Sequence, residues 1–343
     1  MADNGSMLAA VFAREGVMEL QQRARPHVEQ PDDVLIEVEA CGICGTDLHI
    51  LESPPAHPGT PGSIMGHEYI GRVLETGPGV RGRRAGERVA VAPNLNCGIC
   101  RFCRIGRPNH CENFSTLGIF RDGGLARYNV APESACFPID DDVPLEEAVW
   151  TEVLSCVVNS VDNVAVKPGE TAVVIGAGPV GAIHALLFLA AGARVIISDI
   201  SPYRLDAVRR AGAHDTVDVR SEDLLDVVRR ETEFGADVVV DAVGNQFATA
   251  VDLARMGGRI SLFGMNARAL PAIRQNTITR NELTVFGSYV GVNTFPRAIQ
   301  VLERGVIRPS VLISHRVPLR EVEAAMTAMR AGAAMKVIVD HSL

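Results

Sequence analysis

The spacing of apolar residues changes character once along the chain. From Met7 to about Phe137 they come in short runs, VLIEVEA, YIGRVLE and ERVAVAP, broken by turns rich in glycine and proline, with little helical periodicity. Alternation of this kind places every second side chain on one face, so the first part reads as mostly β. From about Leu154 to Tyr289 the runs TAVVIG, RVIISD, DVVVDAVG, GGRISLFG and LTVFGSY are nearly continuous, with amphipathic stretches such as Pro179 to Ala191 and Pro202 to Ala211 among them. Strands apolar on both faces and separated by helices are the pattern of a parallel sheet built from βαβ units. The expected fold class is α/β, a β domain followed by a doubly wound domain. After Tyr289, helical stretches from Phe295 to Arg304 and Leu319 to Arg330 lead to a last apolar strand, Lys336 to Asp340. No internal repeat or low-complexity linker interrupts this order.

A length of 343 residues suits two domains. With 47% hydrophobic and 22% charged residues the composition is that of a folded globular chain. Lysine plus arginine, 33 residues against 41 acidic ones, leaves a net charge of −8, the wrong sign for tracking phosphate backbones or anionic lipid. No nucleic-acid partner is expected. No apolar run approaches a membrane span, and the opening MADNGSM lacks the blocks of a signal peptide, so a cytoplasmic protein with no membrane partner is expected.

Eight cysteines in such a chain point to metal or catalysis rather than disulfides. Cys97, Cys100 and Cys103 follow at three-residue steps and Cys111 comes eight residues later, in CGICRFCRIGRPNHC. Four thiolates this close can close every position around one tetrahedral zinc, which makes a structural site. Free surface thiols would be an oxidation liability, and an iron–sulfur cluster matches on ligand type alone.

Gly176, Gly178 and Gly181, with Pro179 and Val180 between the last two, form GxGxxG in VVIGAGPVG at a strand-to-helix junction. Such glycines let the backbone approach a pyrophosphate at a helix start. Eighteen residues past Gly181, Asp199 ends the next strand, where a carboxylate can accept hydrogen bonds from a ribose diol. A tight turn with no ligand would not place glycines, helix and acid in this register. Asp199 repels a 2′-phosphate and so favours NAD over NADP. Arg204, one helical turn into the next element, pulls the other way but would have to reach back.

Cys44 lies in CGICGTDLH, and His67 and Glu68 in GHE about twenty residues later. Thiolate, imidazole and carboxylate are suitable zinc ligands, and three of them leave a position open for a substrate hydroxyl. Singly, each has a plainer reading: a core histidine, a solvated glutamate, a Cys41/Cys44 redox pair.

These residues, with the four-cysteine lobe, DGGLARY, VVIGAGPVG, NELTVFGSY and NTFPRAI, give a chain that resembles the zinc-dependent medium-chain alcohol dehydrogenases over essentially its whole length, more closely their polyol and sugar-alcohol branch. The resemblance implies a GroES-like β domain, residues 1–153 and 291–343, around an inserted Rossmann NAD-binding domain, residues 154–290, with the last strand returning to the first domain. It implies two zincs per chain and one NAD. Cys44 and His67 would be ligands of the reactive zinc, with Glu68 a direct or exchangeable ligand and Glu152, in WTEVLSC, beside the zinc or its water. Asp47 would orient the histidine ligand. Thr46 would take the substrate proton and His49 would be its onward acceptor.

Two features depart from the branch. Glu152-Val153-Leu154 stands where Glu-Pro-Leu is usual, and Ser288-Tyr289 replaces an arginine–tyrosine pair. The expected function is NAD-dependent interconversion of a secondary alcohol, whether polyol, sugar derivative or amino alcohol, and its ketone, by a homodimer or homotetramer. A zinc-free quinone reductase would lack the ligand sets, and a silent NAD-binding sensor or subunit partner would have lost part of the reactive constellation. The wall from Leu51 to Ser63, LESPPAHPGTPGS, says little about substrate shape.

Overall fold

The computed structural model describes residues 5–343, so the first four residues of the expected β domain and of MADNGSM lie outside it. Two compact units emerge. The first runs to Ser155 and takes in Val292–Gly305 and Ile313–Leu343; the second is Cys156–Gly291 with Val306–Leu312. The sequence expectation put all of 291–343 in the first domain, and Val306–Leu312 departs from it: Ile307 and Leu312 are buried, and the segment packs with the second unit.

The first unit is built on a sheet in the order Ile313–Val317, Lys336–Asp340, Asp33–Gly42, Glu68–Thr76, Arg88–Val91, Cys136–Pro138, with Tyr128–Pro132 also pairing on Asp33–Gly42. Its apolar side chains, among them Val34, Ile36, Val38, Val89 and Val337, form one core with Met326 of the helix Val322–Arg330. The register positions the chemistry. Gly42 pairs antiparallel with Glu68 on one side and Ile338 on the other, which brings Glu68 and Lys336 together across Gly42. A Cβ at Gly42 would overlap both Glu68 Oε2 and Lys336 Nζ, so a larger residue there would have to push the pair aside.

The second unit is a parallel sheet in the order Asp215–Asp218, Arg194–Asp199, Thr171–Ile175, Ala236–Asp241, Ala254–Leu262, Thr284–Gly287. In chain order that is 3-2-1-4-5-6, the doubly wound Rossmann arrangement, whose ligand crevice lies beyond the carboxyl ends of the strands where the winding reverses. Val173, Ile196, Val239 and Ile260 are completely buried, as their uninterrupted apolar runs require. The pattern reading missed the helix Thr151–Val164, which carries Glu152: Glu152, Ser155, Asn159 and Asp162 recur at helical spacing along one side of it, but the reading set a domain boundary after Val153, inside the helix. Among the described residues no helix is long and apolar enough to cross a membrane.

A buried polar chain crosses this unit. His184, on the helix Pro179–Ala190, bonds through Nδ1 to the Val180 carbonyl at 2.9 Å and through Nε2 to Ser160 Oγ at 2.9 Å. A carbonyl only accepts, so Nδ1 carries the hydrogen and Nε2 accepts from Ser160. Ser160 in turn accepts from Ser261 at 2.8 Å, Ser261 from Ser288 at 3.3 Å, and Ser288 from the Asn163 amide at 3.3 Å. Burial pushes the His184 pKa down to about 4 from an ordinary 6.5. Between those values the unfolded chain binds more protons than the folded one, so stability falls as pH drops through the window, by up to about 3 kcal/mol. His184→Gln should remove that part of the pH dependence, as read by urea unfolding of both proteins at several pH values from 7 to 4. Equal pH slopes would show that His184 is not held neutral.

Candidate metal centres and dinucleotide loop

The helix Gly45–Ile50 begins at Cys44, and Asp47 closes a capping box by accepting the Cys44 N–H on Oδ2 at 2.9 Å. This turn fixes Cys44 beside the start of the strand Glu68–Thr76. One donor atom each from Cys44, His67 and Glu68 lies within 4.8 Å of the others. Asp47 is fully buried, and its Oδ1 faces His67 Nδ1 at 3.6 Å; neither atom has a hydrogen bond. Burial, aided by the Glu68 charge, pushes the Cys44 thiol up. Burial alone would lower the His67 pKa, but the Asp47 carboxylate and the Cys44 thiolate outweigh it and hold it well above the usual range. A buried thiol, imidazole and carboxylate, with a second carboxylate behind the imidazole, form the donor set of an open zinc site.

Sequence reasoning missed Lys336. Its side chain is 1% exposed and pairs with the equally buried Glu68. Nζ also donates to the Ile43 carbonyl at 3.3 Å and stands 5.1 Å from the centroid of the buried Trp150 ring. Burial disfavours the ammonium, but the charges of Glu68, Cys44 and Glu152 raise its pKa. Glu152 thus acts on the ammonium, yet it is not among the mutually close donors. A signal was present: the chain has only two lysines, and this one lies inside the apolar run AAMKVIVD.

Thr46 Oγ1 is 3.8 Å from Cys44 Sγ. His49, at the end of the same helix, bonds through Nδ1 to Glu52 Oε1 at 2.7 Å. In the Pro/Gly-rich wall, which the sequence reading left without a role, His57 is half-buried and bonds through Nδ1 to the Pro58 carbonyl at 2.7 Å. Burial lowers its pKa, helped by the charges of His67 and His49.

The sulfurs of Cys97, Cys100, Cys103 and Cys111 also lie within 4.8 Å of one another. Cys100 and Cys103, and Cys97 and Cys111, are 3.5 Å apart, too far for disulfides. Backbone N–H groups point at the sulfurs, from Cys97 and Asn113 to Cys111 at 3.3 Å and from Cys100 to Cys97 at 3.4 Å. Amides of Ile99 and Cys100 pull the Cys97 thiol down to about 6, while burial and neighbouring sulfurs push Cys103 up to about 12. Four thiols so close cannot all ionise unaided, and a zinc ion at their centre satisfies all four.

In the second unit Gly176 has φ 98° and starts the turn from the strand Thr171–Ile175 into the helix Pro179–Ala190. A Cβ on Gly181 would overlap the Gly176 carbonyl oxygen, so the helix packs onto the turn only with glycine there. Asp199 reaches this loop: Oδ2 accepts the Ala177 N–H at 2.7 Å and Oδ1 the Ser201 N–H at 2.8 Å. Arg204, the second cofactor-binding candidate at this ribose position, is the residue that the sequence argument expects to have to reach back. It does reach back, with Nη1 3.9 Å from Asp199 Oδ2 and beside Gly178, and its buried Nε has no hydrogen-bond partner.

Residues 30–141 match the alcohol dehydrogenase GroES-like domain and residues 179–304 the zinc-binding dehydrogenase domain. Sorbitol dehydrogenase of Bacillus subtilis is 30% identical over 336 residues, covering 94% of this chain and 93% of the relative. The chain belongs to the zinc-dependent alcohol dehydrogenase family. Another family member, L-threonine 3-dehydrogenase of Deinococcus deserti, is 35% identical over 320 residues, covering 90% of this chain and 92% of the relative. A solved zinc-binding dehydrogenase from Sinorhizobium meliloti, bound to NADP, superposes with TM-score 0.92 at 32% identity over 98% of this chain and 99% of that one. An alcohol dehydrogenase from Escherichia coli in complex with NADH gives 0.91 at 29% identity over 98% and 100%. The chain is a zinc- and nicotinamide-dependent alcohol oxidoreductase with a GroES-like and a Rossmann part.

Proposed function

We propose that this dehydrogenase interconverts a secondary alcohol and its ketone with NAD, the alcohol being a polyol, a sugar derivative or an amino alcohol. The names of the relatives, sorbitol and L-threonine 3-dehydrogenases, support a polyol or an amino alcohol as the kind of substrate to test. The observation that carries the reading is the gathering of Cys44, His67 and Glu68 donors within 4.8 Å, beside the Thr46 hydroxyl. Zinc held there supplies a Lewis acid for a substrate hydroxyl. The rest falls to the chain's own residues. Asp47 holds the His67 ring; Glu68 or Glu152 serves as the third ligand, with Lys336 balancing the carboxylate left over. Thr46 takes the alcohol proton and His49 accepts it in turn. Cys97, Cys100, Cys103 and Cys111 hold a second, structural zinc. Residues 1–153 and 291–343, less 306–312, serve as the catalytic domain, and 154–290 as the NAD-binding domain. The enzyme works in the cytoplasm as a homodimer or homotetramer.

The test is NADH absorbance with zinc-loaded enzyme against a panel of polyols, sugars and amino alcohols. Oxidation of at least one secondary alcohol is expected; no turnover on any member would overturn the reading. Thr46→Ala should lower turnover about a hundredfold or more, the range of positioned acid–base groups, with KM for NAD nearly unchanged. Wild-type rates in that variant would remove Thr46 from the proton path.

The cofactor loop takes the pyrophosphate at Gly176, Gly178, Pro179, Val180 and Gly181, and Asp199 takes the adenosine ribose. Arg204 packs against Asp199 rather than replacing it, so a 2′-phosphate would still meet a buried carboxylate. NAD should be preferred by at least about tenfold in kcat/KM, since like charge at close range costs several kcal/mol when desolvated. Asp199→Ala should shrink that preference. It should also raise KM for both cofactors, because Asp199 anchors the Ala177 amide in the loop. Equal kcat/KM with NADP in the wild type would mean that Arg204 governs the pocket.

A further inference from the structure

We infer that Glu52 is a positioning residue that sets the tautomer of His49, making its Nε2 the nitrogen that accepts the proton; this rests on the reading of His49 as the onward acceptor. His49 Nδ1 and Glu52 Oε1 are 2.7 Å apart. An ionised carboxylate can only accept, so in the neutral ring the hydrogen sits on Nδ1 and Nε2 presents its lone pair. The backbone holds the pair in place. The His49 carbonyl accepts the N–H of Leu51, of Glu52 at 3.3 Å and of Ala56 at 3.0 Å, which folds the chain after the helix Gly45–Ile50 back over its own end. Glu52 comes one turn after His49 and is carried to the ring by that fold.

The arrangement answers a specific chemical need. In water a neutral histidine side chain prefers its hydrogen on Nε2, the wrong nitrogen for this task. When the alcohol is oxidised, the carbon-bound hydrogen leaves with its electron pair to NAD. The hydroxyl proton passes by way of Thr46 to His49 Nε2, and the C–O single bond becomes the carbonyl. The imidazolium so formed has its positive charge against the Glu52 carboxylate, then yields the proton to water, one proton per NADH. Side chains of His49 and Glu52 are 50% and 40% exposed, which gives that proton a way out. An exposed ion pair of this kind adds little to stability, so the effect of Glu52 should show in the chemistry rather than in the fold.

The experiment uses the zinc-loaded full chain with Glu52→Ala, Glu52→Gln, His49→Gln and the His49→Gln/Glu52→Ala double variant. Long-range proton–nitrogen NMR, with the His49 signals assigned by their loss in His49→Gln, should show the Nδ1–H form in the wild type and in Glu52→Gln, whose amide oxygen can still accept. In Glu52→Ala the Nε2–H form should dominate. There kcat should fall about tenfold with a larger solvent isotope effect, while KM for NAD stays within about twofold. Glu52→Ala should cost nothing further in the His49→Gln background. If His49→Gln is as active as the wild type, the reading of His49 itself fails. If His49→Gln is impaired but Glu52→Ala keeps the wild-type tautomer or the wild-type rate, the role of Glu52 fails and the relay stands.

Discussion

His67→Ala should leave a folded chain that binds one zinc and turns over alcohol at less than about a thousandth of the wild-type rate, since the Lewis acid it helps to hold is worth several kcal/mol in the transition state. The wild type should hold two zincs. Cys100→Ser should behave differently. Cys100 sits amid a lobe with little apolar core of its own, where Ile99 and Ile105 are each 70% exposed. Its order therefore depends on four sulfurs sharing a cation rather than on packing. Loss of one ligand should unravel the lobe, lower the soluble yield and release its zinc, while the other metal stays bound in whatever fraction folds. Zinc analysis together with near-UV circular dichroism separates the two outcomes. One zinc in fully loaded wild-type protein would defeat the two-site reading, and so would loss of both metals on substitution of His67 alone.

Lys336→Met should destabilise the metal-free enzyme by about 3–5 kcal/mol, the cost of leaving a buried charge without its partner. Glu68 and Lys336 are each 1% exposed, so removing the ammonium leaves a buried carboxylate without its counter-charge. Two results would identify the cause. Adding Glu68→Gln to Lys336→Met should restore most of the lost stability, because a buried pair replaced at both ends leaves no orphaned charge. Loading zinc should narrow the gap between Lys336→Met and wild type, because a cation beside Glu68 can take over the work of the ammonium. Urea unfolding of chelator-treated and zinc-loaded proteins provides both comparisons. A metal-free Lys336→Met as stable as the wild type would mean that the pair does not form in solution.

The parts of this molecule legible in its sequence are those whose chemistry is local. The cysteines of the lobe lie within fifteen residues, and the glycine turn and Asp199 span one βα unit and the strand after it, so spacing alone brings their atoms together. Cys44 and His67 are nearly as local, because they sit at the ends of paired strands. Lys336 reaches the same site from the far end of the chain, through a strand register that no periodicity encodes, and only its oddity as a lysine among apolar residues hinted at it. The helix Thr151–Val164 was missed although its pattern was there: Glu152, Ser155, Asn159 and Asp162 recur at helical spacing, but a domain boundary read after Val153 cut the period short. Arg204 was correctly placed one turn into its helix, but the length of an arginine side chain defeats an argument from backbone position. Val306–Leu312 resembles any short loop until packing shows which unit buries its apolar residues.

The scarcity of lysine has a practical side. Of the two in the chain, Lys336 is sealed inside the protein and Lys167 stands on the surface. Every other side-chain cation among the 33 basic residues is a guanidinium, which does not react with ordinary acylating reagents. Amine-directed labelling of the folded enzyme would therefore find a single lysine, in the turn before the strand Thr171–Ile175 and remote in sequence from both cysteine clusters. With the terminal α-amine blocked, a dye, a tether or a solid support attached there would put every molecule in one orientation and leave the Lys336 ammonium untouched.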